Sequence, residues 1–276
     1  MPPAAVPSLT DLCLAGLPAI EPASVWSGWS LSPVFLMPLL LLLSAGAWRL
    51  RQAGPWQTTA FVSGWLLLAM ALLSPLCRMA ASLASAHMVQ HVILVALAPP
   101  LLLLGLRPVG WFPPALRRPG IVSGLYAAAI WLSHLRPVYE AALTDPVIHV
   151  AVTVLLLAAA LIFWHALIGT AESGGSLMLA FGALIQTGVL GALLTFAPVP
   201  WYPLFDTRAL AWGLTPLEDQ QLAGLIMWIP MGSLYLAAAL IVLARLLTCF
   251  ERTGPEQTGL ERIGIEVDRL ERNRRG

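Results

Sequence analysis

Apolar residues run along this chain in long blocks, interrupted by short stretches rich in Pro, Gly, Arg and Trp. Crossing a bilayer core of about 30 Å takes roughly 20 helical residues. The blocks near 31–48, 56–77, 85–106, 119–135, 147–168, 176–197 and 220–247 come close to that length. The pattern predicts an all-α integral membrane protein folded as a bundle of seven transmembrane helices. Its fourth block is the shortest, continuously apolar only from Ile121 to Leu135. The stretch before the first block holds Asp11 and Glu21 but no Arg, unlike the basic start of a secretory signal, so that block is expected to remain as a span.

The direction of threading follows from the basic residues, all 15 of which are Arg. With the N-terminus outside, the inner segments hold Arg49, Arg51, Arg107, Arg117, Arg118, Arg245, Arg252, Arg262, Arg269, Arg272, Arg274 and Arg275, and the outer ones only Arg78, Arg136 and Arg208. The excess of cytoplasmic Arg predicts the N-terminus outside and the C-terminus in the cytoplasm. The chain then divides into an extracytoplasmic segment 1–30, a membrane domain 31–247 and a cytoplasmic tail 248–276. In that tail Leu260, Ile263, Val267 and Leu270 have the spacing of an amphipathic helix. A multi-pass protein of the inner (plasma) membrane is expected, with the lipid bilayer as its first partner.

Composition agrees, at 58% hydrophobic and 11% charged residues with a mean hydropathy of +0.80, where soluble domains carry about a quarter charged residues. A net charge of +1 gives no reason to expect a nucleic-acid partner. Cys13, Cys77 and Cys249 are too few for a disulfide framework or a Cys-x-x-Cys metal site, and one pair at most could close.

Topology sorts the five histidines. His87 and His91 open the third span, His134 ends the fourth and His149 starts the fifth, so all four share the outer face. His165 lies about 24 Å further along the fifth span at 1.5 Å per residue and belongs near the inner face. The i, i+4 spacing of His87 and His91 puts both imidazoles on one side of a helix, where they can bind one ion. Ionisable side chains in a membrane are costly and usually functional. Asp219 opens the seventh span with Met227 two turns deeper, and imidazole, carboxylate and thioether together suit copper or zinc. Asp219 could equally be the N-cap of its own span, and Met227 ordinary packing. Pro99 and Pro100 should kink or break the third span. Gly188 and Ala192 suit close packing of the sixth. The loop from Ala197 to Asp219 could cover the outer site.

The stretches HMVQHVILVALAPPLLLLGL, LSHLRPVYEAALTDPVIH, FWHALIG, PWYPLF and EDQQLAGLIMWIP together resemble the CtaG family of membrane proteins, assembly factors for caa-type cytochrome c oxidase, over about residues 30–247. The resemblance implies a non-enzymatic chaperone role toward oxidase subunits, with copper as the implied metal, and carries over onto His87, His91, His134, His149 and Asp219. It would place a further histidine one turn after His149, where this chain has Thr153. No acid–base or nucleophile pair is visible, so catalysis is not expected. The alternative is a haem-bearing redox protein in which His87 or His91 faces His149 across a haem-sized gap.

Overall fold

The computed structural model describes residues 11–107, 112–113, 116, 118–169, 174–205, 207–252 and 274, and among them it is helical with no strand. The helices are α1 (Pro33–Arg49), α2 (Pro55–Leu73), α3 (Pro75–Ala80), α4 (Ala84–Leu106), α5 (Pro119–His134), α6 (Arg136–Thr144), α7 (Pro146–Gly169), α8 (Gly174–Phe196) and α9. The last runs from Pro216–Ile226 through a π turn at Met227–Met231 into Gly232–Arg252. Five of these, α2, α4, α7, α8 and α9, are long and apolar enough to cross a membrane. The first and fourth expected spans are shorter, at 17 residues for α1 and 16 for α5. The amphipathic tail helix expected around Leu260–Leu270 lies outside the described residues.

Prolines start these helices instead of breaking them. Pro33, Pro55, Pro75, Pro119 and Pro216 stand in first helical turns, where the missing N–H is not needed. One of them moves a boundary. The second apolar block was expected to run to Cys77, but Ser74 is extended ahead of Pro75 and accepts a hydrogen bond from the Leu76 N–H, so α2 stops at Leu73 and the short α3 begins.

α4 is the central helix, with 67% of its apolar window buried against 33–39% in the other four full-length spans. Its Pro-Pro pair does not end it. A π turn at Ile93–Leu97 absorbs the irregularity, and the Trp164 indole N–H of α7 donates to the Val95 carbonyl at 2.8 Å, the acceptor that Pro99 cannot serve. Beyond the prolines α4 meets α2 almost backbone to backbone: a Cβ at Gly105 would lie 2.6 Å from Phe61 Cβ and 2.8 Å from the Gln57 carbonyl. On α8 the small residues picked from sequence are displaced by one position in azimuth. Gly188 and Ala192 line an open apolar groove, and the close contact is Gly191 against Gly224 of α9.

The segment before α1 lies across the end of the bundle that carries His87. Cys13 is bridged to Cys77 of α3 with the Cα atoms 5.6 Å apart. Arg78 donates to the Pro18 carbonyl at 2.9 Å, Trp212 to that of Ile20 at 3.1 Å, and Arg208 to those of Ala15 and Ala81.

Backbone atoms around Gly105 cannot move aside as a side chain can. Gly105→Ala is therefore expected to cost about 1–3 kcal/mol by overpacking, seen as a lower thermal unfolding temperature in detergent. Gly124→Ala, where nothing lies within 4 Å, is the matched control; equal stability of the two variants would contradict the close approach of α2 and α4.

Candidate functional site

α4 enters the bundle without a cap of its own. Leu83 holds the N-cap position and has no side-chain acceptor, which strands the first backbone N–H groups in a buried place. Asp219 of α9 supplies the acceptor: Oδ2 takes the Ala84 N–H at 2.7 Å, and Oδ1 takes the Ser85 N–H at 3.1 Å and the Ser85 hydroxyl at 2.5 Å. The carboxylate is fully buried at 0% exposure, and its charge faces the positive end of the α4 dipole. It is not the N-cap of its own helix. That role belongs to Thr215, in a capping box with Glu218.

Held in this way, α4 turns both of its histidines inward. The His87 and His91 ring centroids are 4.5 Å apart, and His91 is 5.3 Å from His134 at the end of α5. His149, in the first turn of α7, lines a cavity together with His87, His91 and Tyr139. Counted as space open to the centre of a water molecule, that cavity is about 20 Å³, room for one water-sized species and not the gap a haem needs. The four histidines are buried, between 5% and 9% exposed. His165 packs against Phe112 at 4.9 Å, away from this cluster. Met227 is buried in the core and does not line the cavity. Thr153 does line it, its hydroxyl bonded to the His149 carbonyl at 2.8 Å.

Backbone carbonyls set the tautomers. His134 Nδ1 lies 2.8 Å from the Ile130 oxygen and His149 Nδ1 lies 3.0 Å from that of Ala142. A carbonyl only accepts, so each Nδ1 carries the proton and each Nε2 keeps a lone pair. Both Nε2 atoms are buried without a partner, as are His87 Nδ1 and the Tyr139 hydroxyl. An imidazole fixed through one nitrogen with the other free is how metal-ligating histidines are usually supported. Leaving a buried polar atom unpaired costs about 1–3 kcal/mol, and four such atoms stand at this end of the bundle. Among the described residues no group of three or more His, Cys, Asp or Glu side chains stands in metal-binding geometry.

One tyrosine, Tyr139, escaped the sequence reading, and it meets Tyr202 of the loop expected to cover the site. Tyr139 of α6 lies 4.7 Å from the His87 ring and stacks on Tyr202 at 4.1 Å, while the Tyr202 hydroxyl donates to the His134 carbonyl at 2.8 Å. Burial pushes the Tyr139 phenol well above its usual range, with Tyr202 and Asp219 adding to the effect; burial and then Glu140 do the same to Tyr202. The available signal was the pair His134 and His149: two helix ends on one face require the intervening chain, including Tyr139, to stay there.

The family model for the cytochrome c oxidase caa3 assembly factor matches residues 41–248, most of the chain and every residue of this cluster. No curated protein and no solved structure matches.

Asp219→Ala removes the acceptor of three donors at once and is expected to lower stability by about 2 kcal/mol or more. Glu218→Ala, on the exposed capping box of the same helix turn, should cost less. Thermal unfolding of the two variants in detergent compares them, and an Asp219 variant no weaker than the Glu218 one would refute the cap.

Proposed function

Because the chain belongs to the cytochrome c oxidase caa3 assembly factor family, we propose that it holds copper as cargo at its histidine end and passes it to an oxidase subunit whose copper centre is being completed. The observation that carries this reading is the set of unpartnered imidazole nitrogens, His87 Nδ1, His134 Nε2 and His149 Nε2, gathered with His91 at one end of the bundle. Imidazole suits copper, and neutral rings with fixed tautomers present lone pairs without first losing a proton. In this reading His87, His91, His134 and His149 are the ligands. Asp219 serves them by fixing α4. The protein is a chaperone and not an enzyme.

The histidine end faces outward, with the N-terminus outside, the C-terminus in the cytoplasm and α1 and α5 completing seven spans of the plasma membrane. Two observations support this orientation. Among the described residues Arg49, Arg51, Arg107, Arg118, Arg245 and Arg252 sit at the ends of helices away from the histidines, and Arg78, Arg136 and Arg208 beside them, the asymmetry of the positive-inside rule. The Cys13–Cys77 bridge lies at the histidine end, and disulfides persist in oxidising compartments.

A reporter fused after Gly276 should be active only if it is one that works in the cytoplasm; activity of a periplasmic reporter there would reverse the orientation.

Cells lacking the protein should make oxidase polypeptides and haem but assemble an enzyme with less copper, and the His87→Ala, His91→Ala double variant should reproduce the defect. The measurement is copper per haem in oxidase purified from each strain. A normal ratio with normal activity in the deletion strain would end the copper-delivery reading.

A further inference from the structure

The histidine cluster holds a donor of another kind. Tyr139 is 1% exposed, its hydroxyl is buried without a hydrogen-bond partner, and it lines the same small cavity as His87 and His149. A buried phenol ordinarily finds a partner for its hydroxyl. Two of the unpartnered imidazole nitrogens near it belong to His87 and His149, which line the same cavity. Its direction is fixed from behind, because the ring is stacked on Tyr202 at 4.1 Å and edged by Phe205 at 6.1 Å. The chain order contributes too. α6 is laid between α5 and α7, so His134, Tyr139 and His149 arrive at one place from one short run of sequence.

What is missing from the lining also bears on the ligand. Among the described residues around the cavity there is nitrogen and oxygen but no sulfur. Thioether and thiolate ligands select copper(I), whereas imidazole with an oxygen donor suits a divalent ion. Resting on the reading that the histidines bind metal, we propose that Tyr139 is the oxygen ligand of the site and makes it selective for a divalent transition-metal ion, copper(II) or zinc(II), over copper(I). On binding, the bond from Oη to the metal forms as the O–H bond breaks, and the proton leaves to water; no electron is transferred. The dipositive charge of the ion stabilises the phenolate in a way that a monovalent ion does less well.

The test uses the full chain purified in detergent, loaded separately with copper(II), with zinc(II), and with copper(I) under anaerobic reducing conditions. Tyr139→Phe keeps the stacked ring and removes only the hydroxyl. The copper(II) form of the parent is expected to show a phenolate-to-copper(II) charge-transfer band that Tyr139→Phe lacks. Copper(II) and zinc(II) affinity of the variant should fall at least about tenfold, while its copper(I) affinity stays within about threefold. Tyr202→Phe, whose lost hydroxyl serves the His134 carbonyl and not the cavity, should keep the band. The proposal is overturned by a parent copper(II) form without the band, by unchanged divalent affinity in Tyr139→Phe, by a parallel loss of copper(I), or by loss of the band in Tyr202→Phe. A parent that binds copper(I) alone overturns the role of Tyr139 and leaves copper delivery standing. A parent that binds no metal overturns both.

Discussion

One carboxylate joins the middle of this chain to its last helix at the point where both helices begin. Asp219 accepts from the Ala84 and Ser85 backbone and from the Ser85 hydroxyl, and without it α4 would open on stranded donors in a region shut off from water. Burying an ionised group is normally expensive. Here the cost is offset on both sides, since three hydrogen bonds satisfy the anion and the α4 dipole favours a negative charge at that position. The neighbouring Gln220 extends the clamp: its amide donates to the Leu194 carbonyl of α8 at 3.3 Å and accepts the Trp201 N–H at 2.5 Å. The first turn of α9 thus sets the positions of α4, α8 and the loop between α8 and α9 together.

The direction of the histidines follows from that clamp. With its N-terminus fixed by Asp219 and its second half pressed on α2 through Gly64 and Gly105, α4 has little freedom to rotate, so His87 and His91 point into the bundle. The π turn between the two halves is where the register of the anchored ends is reconciled. Trp164 closes the gap by taking the Val95 carbonyl, and its ring continues into the buried group of Tyr126, Phe163 and Tyr235. The part of α4 that bears the histidines and the part that bears prolines therefore carry different loads: polar satisfaction at one end, close backbone packing at the other.

Much of this was legible in the order of residues, and what was not shares a physical reason. Apolar blocks and Pro positions located the helices, because both act through local length and local hydrogen bonding. The common end of His87, His91, His134 and His149 followed from counting crossings. Azimuth was not legible: sequence shows that α8 has small residues, but whether Gly188 or Gly191 meets α9 depends on a rotation that only packing against Gly224 fixes. The partner of Asp219 was hidden for a similar reason. Backbone N–H groups leave no mark in a sequence, so a carboxylate that caps a distant helix reads as a candidate ligand. Tyr139 was overlooked because its importance lies in an unpaired hydroxyl, which is a property of its surroundings.

The histidines are buried at the end of the bundle where the pre-α1 segment and the loop between α8 and α9 are attached, and these are joined to the bundle in a different manner from the helices themselves. Tyr202 reaches His134, Arg208 reaches Ala15 and Ala81, and Trp212 reaches Ile20, each through side-chain donors to backbone carbonyls. Side-chain hydrogen bonds of this kind are worth about 1 kcal/mol each, whereas prising apart α4 and α2 would break a continuous apolar contact. The Cys13–Cys77 bridge adds a covalent tether from the pre-α1 segment to α3 beside the histidines.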